Sequence, residues 1–264
     1  MKYELGFMGC GNMGGALCRA AAKSIDAKTV AVSDPDAKKC AALKNDLGVT
    51  PVSLRDLAEE SRFFVLGVKP QILFEATKEV SEILKNRKDV TVISMAAGIS
   101  IAAVKSATGA DSVIRIMPNT PAAVGEGLIL YAVDNVSEET ERAFLAAFSA
   151  AGRILRIAED KIDAASALSG CGPAFCYLFL EALADGAVEC GIPRDTAVDL
   201  AAQTLLGSAK MVQTYGNPAA LKDAVCSPGG TTIAGVHALE KDGFRAAAMD
   251  AVKAAYDKTL SLKK

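Results

Sequence analysis

In the first half of the chain, short apolar runs alternate with longer segments whose apolar positions recur every three to four residues. The short runs predict strands at residues 3–8, 29–33, 63–68, 90–95, 112–116 and 127–133. The longer segments predict helices at residues 12–24, 35–47, 71–86 and 100–107. Strands separated by helices require crossover connections, so this half is predicted to be an α/β domain with a doubly wound parallel sheet.

From about residue 136 the strand pattern stops, and the rest of the chain is predicted to be helical. The predicted helices are 137–151, 160–168, 173–190, 194–213, 218–225, 231–240 and 243–262. We therefore expect two domains, residues 1–158 and residues 159–264. Helix 173–190 is apolar on nearly every side, which favours burial in the core of a dimer. Its stripe of Glu181, Asp185 and Glu189 is interpreted as a solvated face, with a catalytic role as the alternative.

Composition narrows the class of protein. The 264 residues are 51% hydrophobic and 23% charged, which is typical of a folded, core-forming chain. A net charge of −2 gives no basic field for nucleic acid. The apolar runs are shorter than the roughly 18–20 residues of a membrane helix, and Glu4 interrupts any signal-peptide core, so no membrane association and a cytoplasmic location are expected.

Cysteine and histidine usage points away from metal and triad chemistry. The seven cysteines form no C-x-x-C pair, so we expect reduced, mostly buried thiols and no metal site. The single histidine, His237, would have to serve any Ser-His-Asp triad or two-histidine metal site.

A glycine-rich turn predicts a nucleotide site. Gly9, Gly11 and Gly14 form G-x-G-x-x-G directly after a predicted strand and at the start of a predicted helix. In that context, backbone N–H groups and the helix dipole meet a pyrophosphate, as in a Rossmann domain.

The residues at the end of the second predicted strand influence whether the protein would bind NADH or NADPH. Asp34 stands where an acid binds the ribose of NAD, but Pro35 follows it, and Asp-Pro is also how a helix begins. If Asp34 caps that helix, Ser33 and Lys38 or Lys39 could hold a 2′-phosphate, which favours NADPH.

Further loops follow other predicted strands, where ligands of open α/β sheets bind. One contains Val68, Lys69 and Pro70, and another contains Ala97 and Gly98. A third, Met117–Pro121, either lines the nicotinamide end or is a plain turn.

The segment CSPGGTTIAGVHALE, residues 226–240, predicts an anion site. Pro228, Gly229 and Gly230 end the preceding element, and an apolar helical pattern begins at once. A first turn without large side chains leaves backbone N–H groups bare, and such groups attract a carboxylate or a phosphate. In the alternative reading, Thr231 and Thr232 only cap the helix.

Six segments carry a resemblance to a known family: GFMGCGNMGGAL, GVKPQ, SMAAGIS, RIMPNTPAAVGEG, ALSGCGPAF and LKDAVCSPGGTTIAGVHALEKDGFRAA. In this order, over essentially the whole chain, they resemble the blocks of pyrroline-5-carboxylate reductase, the last enzyme of proline synthesis. The last block is the specific one, since many dehydrogenases share the first. Cys171 stands where the family more often has serine, which puts a hydroxyl role there in doubt.

The resemblance implies an N-terminal Rossmann domain, an all-α C-terminal dimerisation domain, and an active site between the domains with helices from both subunits. It implies NADPH or NADH as reductant, 1-pyrroline-5-carboxylate as substrate, and a homodimer that can associate into a ring of dimers. With Ser33 and Val68 from the preceding argument, the expected cofactor-binding residues are Phe7, Met8, Gly9, Cys10, Gly11, Asn12, Met13, Ser33, Val68, Lys69, Pro70, Ala97 and Gly98. The expected substrate loop is Gly229, Gly230, Thr231 and Thr232, with Thr232 hydrogen-bonded to the reacting nitrogen.

Two other functions stay open. A hydroxyacid-type dehydrogenase shares the Rossmann-plus-helices plan but would use a catalytic lysine, for which Lys161, Lys210 and Lys222 are candidates. A nucleotide sensor without turnover could dispense with the pair of threonines.

Overall fold

The computed structural model describes residues 1–261, and its first part is an α/β domain around one sheet. The strands are β1 (Tyr3–Met8), β2 (Val30–Ser33), β3 (Thr50–Pro51), β4 (Ser61–Leu66), β5 (Thr91–Ser94), β6 (Ser112–Met117), β7 (Gly127–Asp134) and β8 (Gly152–Arg156). The helices of this part are α1 (Asn12–Ser24), α2 (Ala37–Leu47), α3 (Leu54–Glu60), α4 (Leu73–Thr77), α5 (Ser81–Asn86), α6 (Ile101–Thr108), α7 (Glu138–Ala147) and α8 (Glu159–Ser169).

The eight strands form one sheet in the order β3-β2-β1-β4-β5-β6-β7-β8. All neighbours are parallel except β6 and β7, which run antiparallel with Met117 opposite Leu130. The connections leave β1 first towards β2 and then towards β4, so the strand order reverses at β1. A crevice for ligands is expected outside the carboxyl ends of β1 and β4 at such a switch point.

The sheet is covered on both faces, because successive side chains of a strand point to opposite sides. Phe63 lies in one buried cluster together with Phe7, Phe144 and Phe148. Phe64, the next residue along β4, lies in the other cluster, with Leu57 and Leu66. Both faces are therefore closed by apolar cores, as the α/β prediction requires.

Several elements differ from the sequence prediction. β8 lies between the helices predicted at residues 137–151 and 160–168, where no strand was predicted; it pairs with β7 at the sheet edge, and Arg153 and Arg156 within it are exposed. The single helix predicted over residues 71–86 is a 3-10 turn at Pro70–Ile72 followed by two short helices, α4 and α5. β8 was missed because its five residues include two charged positions and show no clear alternation of apolar and polar residues.

The described residues divide into two compact units: residues 1–170 with residues 256–261, and residues 171–255. The helices after α8 are α9 (Gly172–Glu189), α10 (Arg194–Tyr215), α11 (Pro218–Ala224), α12 (Thr231–Lys241) and α13 (Phe244–Ser261). α8, which the sequence assigned to the second domain, belongs to the first compact unit.

The second unit buries little of its apolar surface within one chain. Its small core consists of Ala184, Ala197 and Ala201, whereas Tyr177 and Leu178 on α9 are 61% and 69% exposed. Within the helical stretch Glu159–Glu189, an 18-residue window has a mean hydropathy of 1.4, and by length and composition alone the stretch could cross a membrane. A helix so apolar and so poorly covered requires a further partner.

Candidate active site

Three glycines pack the backbone of the glycine-rich turn tightly against its neighbours. Gly9 has a φ of +100°, and its N–H donates to the Ser33 carbonyl at 2.8 Å. A Cβ on Gly14 would lie 2.2 Å from the Gly9 carbonyl oxygen, and a Cβ on Gly67 would lie 2.6 Å from it. No side chain fits at these positions, so β1, α1 and the end of β4 meet backbone to backbone.

Gly11 differs, because the space beside it is open. It is the N-cap of α1 with a φ of −68°, and within the described part of the chain no side chain caps the helix. A Cβ on Gly11 would meet no atom of residues 1–261 within 4 Å. The first-turn N–H groups of α1 therefore face a space that a diphosphate can enter, with the helix dipole favouring its charge.

This space continues into a cavity of about 1030 Å³ at the switch point of the sheet. The predicted cofactor residues on its wall are Met8, Gly9, Gly11, Ser33, Val68 and Lys69. Leu54, Ile72 and Ala76 add apolar wall that the sequence analysis did not anticipate. The cavity combines a phosphate-binding turn with an apolar region suited to a flat base, which fits a dinucleotide.

Asp34 does not begin α2 as expected. The helix starts at Ala37, and Asp36 is its N-cap, with a carboxylate that accepts from Lys38 N–H at 3.0 Å. The prediction that Asp34 caps at Pro35 is wrong, because the chain makes a further turn before the helix. Asp34 instead accepts from Asp36 N–H at 2.9 Å and from Cys10 N–H at 2.7 Å.

The thiols of the first unit lie beneath the turn. The Sγ atoms of Cys10 and Cys40 are 3.9 Å apart, and both residues are buried together with Cys18. Burial raises the pKa of the Cys10 thiol well above its usual range and that of Cys18 to about 12. The Cys10 and Cys18 thiols therefore stay protonated, and the buried cysteines act as small apolar packing groups.

The remaining predicted cofactor residues lie in different environments. The Phe7 side chain is wholly buried against Phe148, so it can support the turn but cannot touch a ligand. Cys10 and Asn12 line a smaller cavity of about 400 Å³ next to the first. Pro70 begins the 3-10 turn after β4, while Ala97 and Gly98 form the turn after β5, with Gly98 at a φ of +74°.

Several polar contacts attach α8 to the sheet and its loops, and none of them was predicted. The Arg115 guanidinium, on β6, donates to Asp163 on α8 at 2.6 Å, and both side chains are at least 95% buried. Asn119 accepts from Leu128 N–H at 2.8 Å and donates to the Ser169 carbonyl at 2.9 Å. Asn119 of the segment Met117–Pro121 thus joins β7 to the end of α8, so this segment is more than a plain turn.

In the second unit, α12 begins as the sequence analysis expected. Gly229 has a φ of +70°, Gly230 is the N-cap, and among the described residues no side chain caps the helix. Thr231 and Thr232 are exposed in the first turn. The turn is tight, since a Cβ on Gly230 would lie 2.4 Å from Ser227 Oγ. The reading in which the threonines only cap the helix is therefore not favoured, and the first N–H groups are open to an anion.

Two of the three lysines considered for the alternative dehydrogenase mechanism, Lys161 and Lys222, form ion pairs at the surface. Lys161 pairs with Asp160 at 3.2 Å and Lys222 pairs with Asp223 at 2.7 Å, each beside its sequence neighbour on an exposed helix surface. In residues 1–261 no group of three His, Cys, Asp or Glu side chains could hold a metal ion.

Comparison with known families divides the chain into two matched regions. Residues 159–262 match the family described as pyrroline-5-carboxylate reductase dimerisation. Residues 4–98 match the family described as NADP oxidoreductase, coenzyme F420-dependent. The NADP oxidoreductase match covers the glycine-rich turn and most of the residues around its cavity. The dimerisation match covers the start of α12.

Full-length relatives and solved structures agree with these matches. The pyrroline-5-carboxylate reductase of Arabidopsis thaliana is 41% identical over 99% of this chain and 96% of its own. The enzyme of Escherichia coli K12 is 39% identical over 100% of both chains. The structure of Plasmodium falciparum pyrroline carboxylate reductase with NADP bound has a TM-score of 0.88 at 33% identity, with both chains covered completely. That of the Coxiella burnetii enzyme has a TM-score of 0.91 at 30% identity, again over 100% of both chains.

Proposed function

This chain belongs to the pyrroline-5-carboxylate reductase family, and from that premise we propose that it reduces 1-pyrroline-5-carboxylate to L-proline with NADPH or NADH. This reaction is the last step of proline biosynthesis. The start of α12 carries the proposal, because two glycines, an uncapped first turn and two exposed threonines form a site for one small carboxylate.

The first unit supplies the cofactor site. Gly11 and the first turn of α1 hold the diphosphate, Ser33 lies at the adenosine ribose, and Val68 and Lys69 line the path along the cavity. Ala97 and Gly98, at the end of β5, leave room for the nicotinamide ring against backbone. Bound there, the reduced cofactor supplies the hydride for the C=N bond.

The second unit supplies the substrate site. The N–H groups of Gly230, Thr231 and Thr232 bind the substrate carboxylate, and Gly229 permits the turn that exposes them. The Thr232 hydroxyl hydrogen-bonds the ring nitrogen and orients the imine carbon. A protonated imine already carries positive charge, so the residues at this site need only hold and orient it, without a strong general acid.

Cofactor binding and substrate binding are assigned to different regions of the chain. Residues 1–158 bind the cofactor, and residues 159–264 bind the substrate and associate with a second copy. The family match over residues 159–262 and the exposed apolar surface of α9 support a homodimer, which can associate further into a ring. A second copy, not lipid, covers the apolar stretch Glu159–Glu189, and the enzyme is cytoplasmic.

An assay of the purified protein tests the function. With 1-pyrroline-5-carboxylate, the absorbance of NADPH or NADH should fall and proline should appear in equal amount. Omission of the imine, or its replacement by a 2-oxo acid, is the control and should stop the reaction. Binding of NADPH without turnover would support the sensor alternative, and reduction of the 2-oxo acid would support a hydroxyacid-type enzyme.

The two threonines separate hydroxyl chemistry from binding by the backbone. Thr232→Ala should lower kcat by about 10-fold or more, one transition-state hydrogen bond of roughly 1.4 kcal/mol, and Thr232→Ser should recover much of it. Thr231→Ala, the matched control, keeps every backbone N–H and should stay within about three-fold of wild type. A Thr232→Ala enzyme with full kcat and only a raised KM would contradict this role and assign the proton to water.

A further inference from the structure

We propose that Asp34 is a positioning residue that fixes the glycine-rich turn in its cofactor-binding shape, and not the ribose ligand that its place after β2 suggests. The inference rests on the proposed function, since it assigns the turn to a dinucleotide. It is carried by what the Asp34 carboxylate contacts and by how the adjoining peptide plane is enclosed.

Both carboxylate oxygens of Asp34 accept backbone hydrogen bonds. Oδ2 accepts from Cys10 N–H at 2.7 Å, and Oδ1 accepts from Asp36 N–H at 2.9 Å. The Lys39 ammonium lies 3.6 Å from Oδ1, and the Asp34 side chain is 9% exposed. A carboxylate this buried is stabilised by such donors, and charge-assisted bonds of this length are strong.

The peptide between Gly9 and Cys10 is thereby held on both sides. Its N–H is fixed by Asp34, and its oxygen is packed so closely that a Cβ on Gly14 or on Gly67 would approach it to 2.2 or 2.6 Å. The next residue, Gly11, is the uncapped start of α1. The orientation of this one peptide plane therefore determines where the first N–H groups of α1 point.

An asparagine cannot replace this carboxylate. It has one acceptor oxygen, and its amide group would turn a donor towards one of the two backbone N–H groups. The turn would then lose the bond at Cys10 or at Asp36 and sample other orientations. Because NADPH and NADH share the diphosphate, both should lose affinity by the same factor. Under this proposal their relative affinity depends on other residues near the ribose, namely Ser33 and Lys39.

Asp36 offers a matched control. It is an acid of the same charge two residues away, and as the N-cap of α2 it bonds Lys38 N–H and not the glycine-rich turn. Asp36→Asn removes one negative charge near the adenosine ribose, and asparagine remains a good N-cap. Any effect of charge alone on the 2′-phosphate will therefore be similar in Asp36→Asn and Asp34→Asn.

The experiment measures the Kd of NADPH and of NADH for the full-length enzyme by titration, together with steady-state kinetics. Asp34→Asn should raise both Kd values about 10-fold, change their ratio by less than about three-fold, and keep kcat at saturating cofactor. Asp36→Asn should change both by less than about three-fold. Hydrogen exchange of the cofactor-free enzyme should become faster over residues 9–13 in Asp34→Asn only.

Two results would overturn the inference. A selective loss of NADH affinity, with NADPH unchanged or tighter, would make Asp34 a ribose ligand. If Asp34→Asn had the same NADPH and NADH affinities as Asp36→Asn, Asp34 would have no role in the turn. If Asp34→Asn does not fold, hydrogen exchange of the wild-type protein alone tests the inference. Rapid exchange at the Cys10 amide would contradict the proposed hydrogen bond to Asp34. A wild-type enzyme that binds neither cofactor would refute the proposed function instead.

Discussion

At the scale of single residues, two glycines of the same turn lack a side chain for opposite reasons. Gly14 has no room because the Gly9 carbonyl oxygen occupies the place of a Cβ, whereas Gly11 has open space beside it. The first glycine therefore serves packing of the protein, and the second serves the approach of a ligand.

Alanine at each position should separate these roles. Gly14→Ala should lower the free energy of unfolding by about 1–3 kcal/mol, because a backbone carbonyl must move. Gly11→Ala should leave thermal stability unchanged and raise the Kd of NADPH by about 10-fold or more, since the methyl group lies where the diphosphate binds. Gly15→Ala, whose Cβ would lie 3.6 Å from the Cys10 carbonyl oxygen, is the control. Tight NADPH binding by Gly11→Ala would place the diphosphate elsewhere.

The sequence predicts the glycine-rich turn well, because its residues are close in the chain and their spacing is the signal. It does not predict the role of Asp34. The distance of 2.7 Å from its Oδ2 to Cys10 N depends on how β1 and β2 are registered, which local sequence does not encode. The pairing of Asn119 with Ser169 was missed for the same reason.

At the scale of elements, α8 is attached to the sheet by a buried ion pair. Arg115 on β6 and Asp163 on α8 are 3% and 5% exposed, and Glu159 at the start of α8 accepts from Ile101 N–H at 2.7 Å. Without Asp163, the buried Arg115 guanidinium keeps only the longer contact of 3.4 Å to the part-exposed Glu159 carboxylate. A buried charge that has lost its main counter-ion costs far more than a lost surface pair.

Asp163→Ala should therefore lower the free energy of unfolding by about 3–5 kcal/mol, measured by denaturant titration at a fixed protein concentration. The control is Glu138→Gln, which removes an exposed pair with Arg142 on α7 and should leave the midpoint unchanged. Equal midpoints for the two variants would show that water reaches Arg115 and that the pair is not structural.

Element types were predicted best where the pattern is long or wholly apolar, as for β4 and α9. β8 was missed because five residues with two exposed arginines carry no strand signal, and its pairing with β7 is a tertiary effect. The antiparallel pairing of β6 with β7 was not predicted either, although the signal was available: the connection between the two predicted strands, residues 117–126, has no predicted helix and is shorter than an ordinary crossover.

At the scale of the whole molecule, the second unit leaves most of its apolar surface uncovered in the single chain. α9 has one fully buried residue, Ala184, while Leu178 is 69% exposed in the single chain. Such an exposed apolar surface favours association, and the match to the dimerisation family supports oligomerisation.

Leu178→Glu should therefore give monomers or aggregates by light scattering and abolish turnover, because a charge would be buried in the interface. Phe74→Glu, at an exposed apolar position of the first unit, is the control and should stay oligomeric. A monomeric Leu178→Glu protein with full activity would show that association is not needed for catalysis.

The distribution of the cysteines has a practical consequence for labelling. The three thiols of the first unit are buried, whereas Cys171, Cys176 and Cys190 on the helical side are exposed in the single chain and Cys226 is partly so. A maleimide dye will therefore attach only within the second unit, and the turn that binds the cofactor will remain unmodified. In the proposed homodimer a second copy covers α9, which carries both Cys176 and the apolar surface, so the rate of dye attachment at Cys176 would report the rate of subunit exchange.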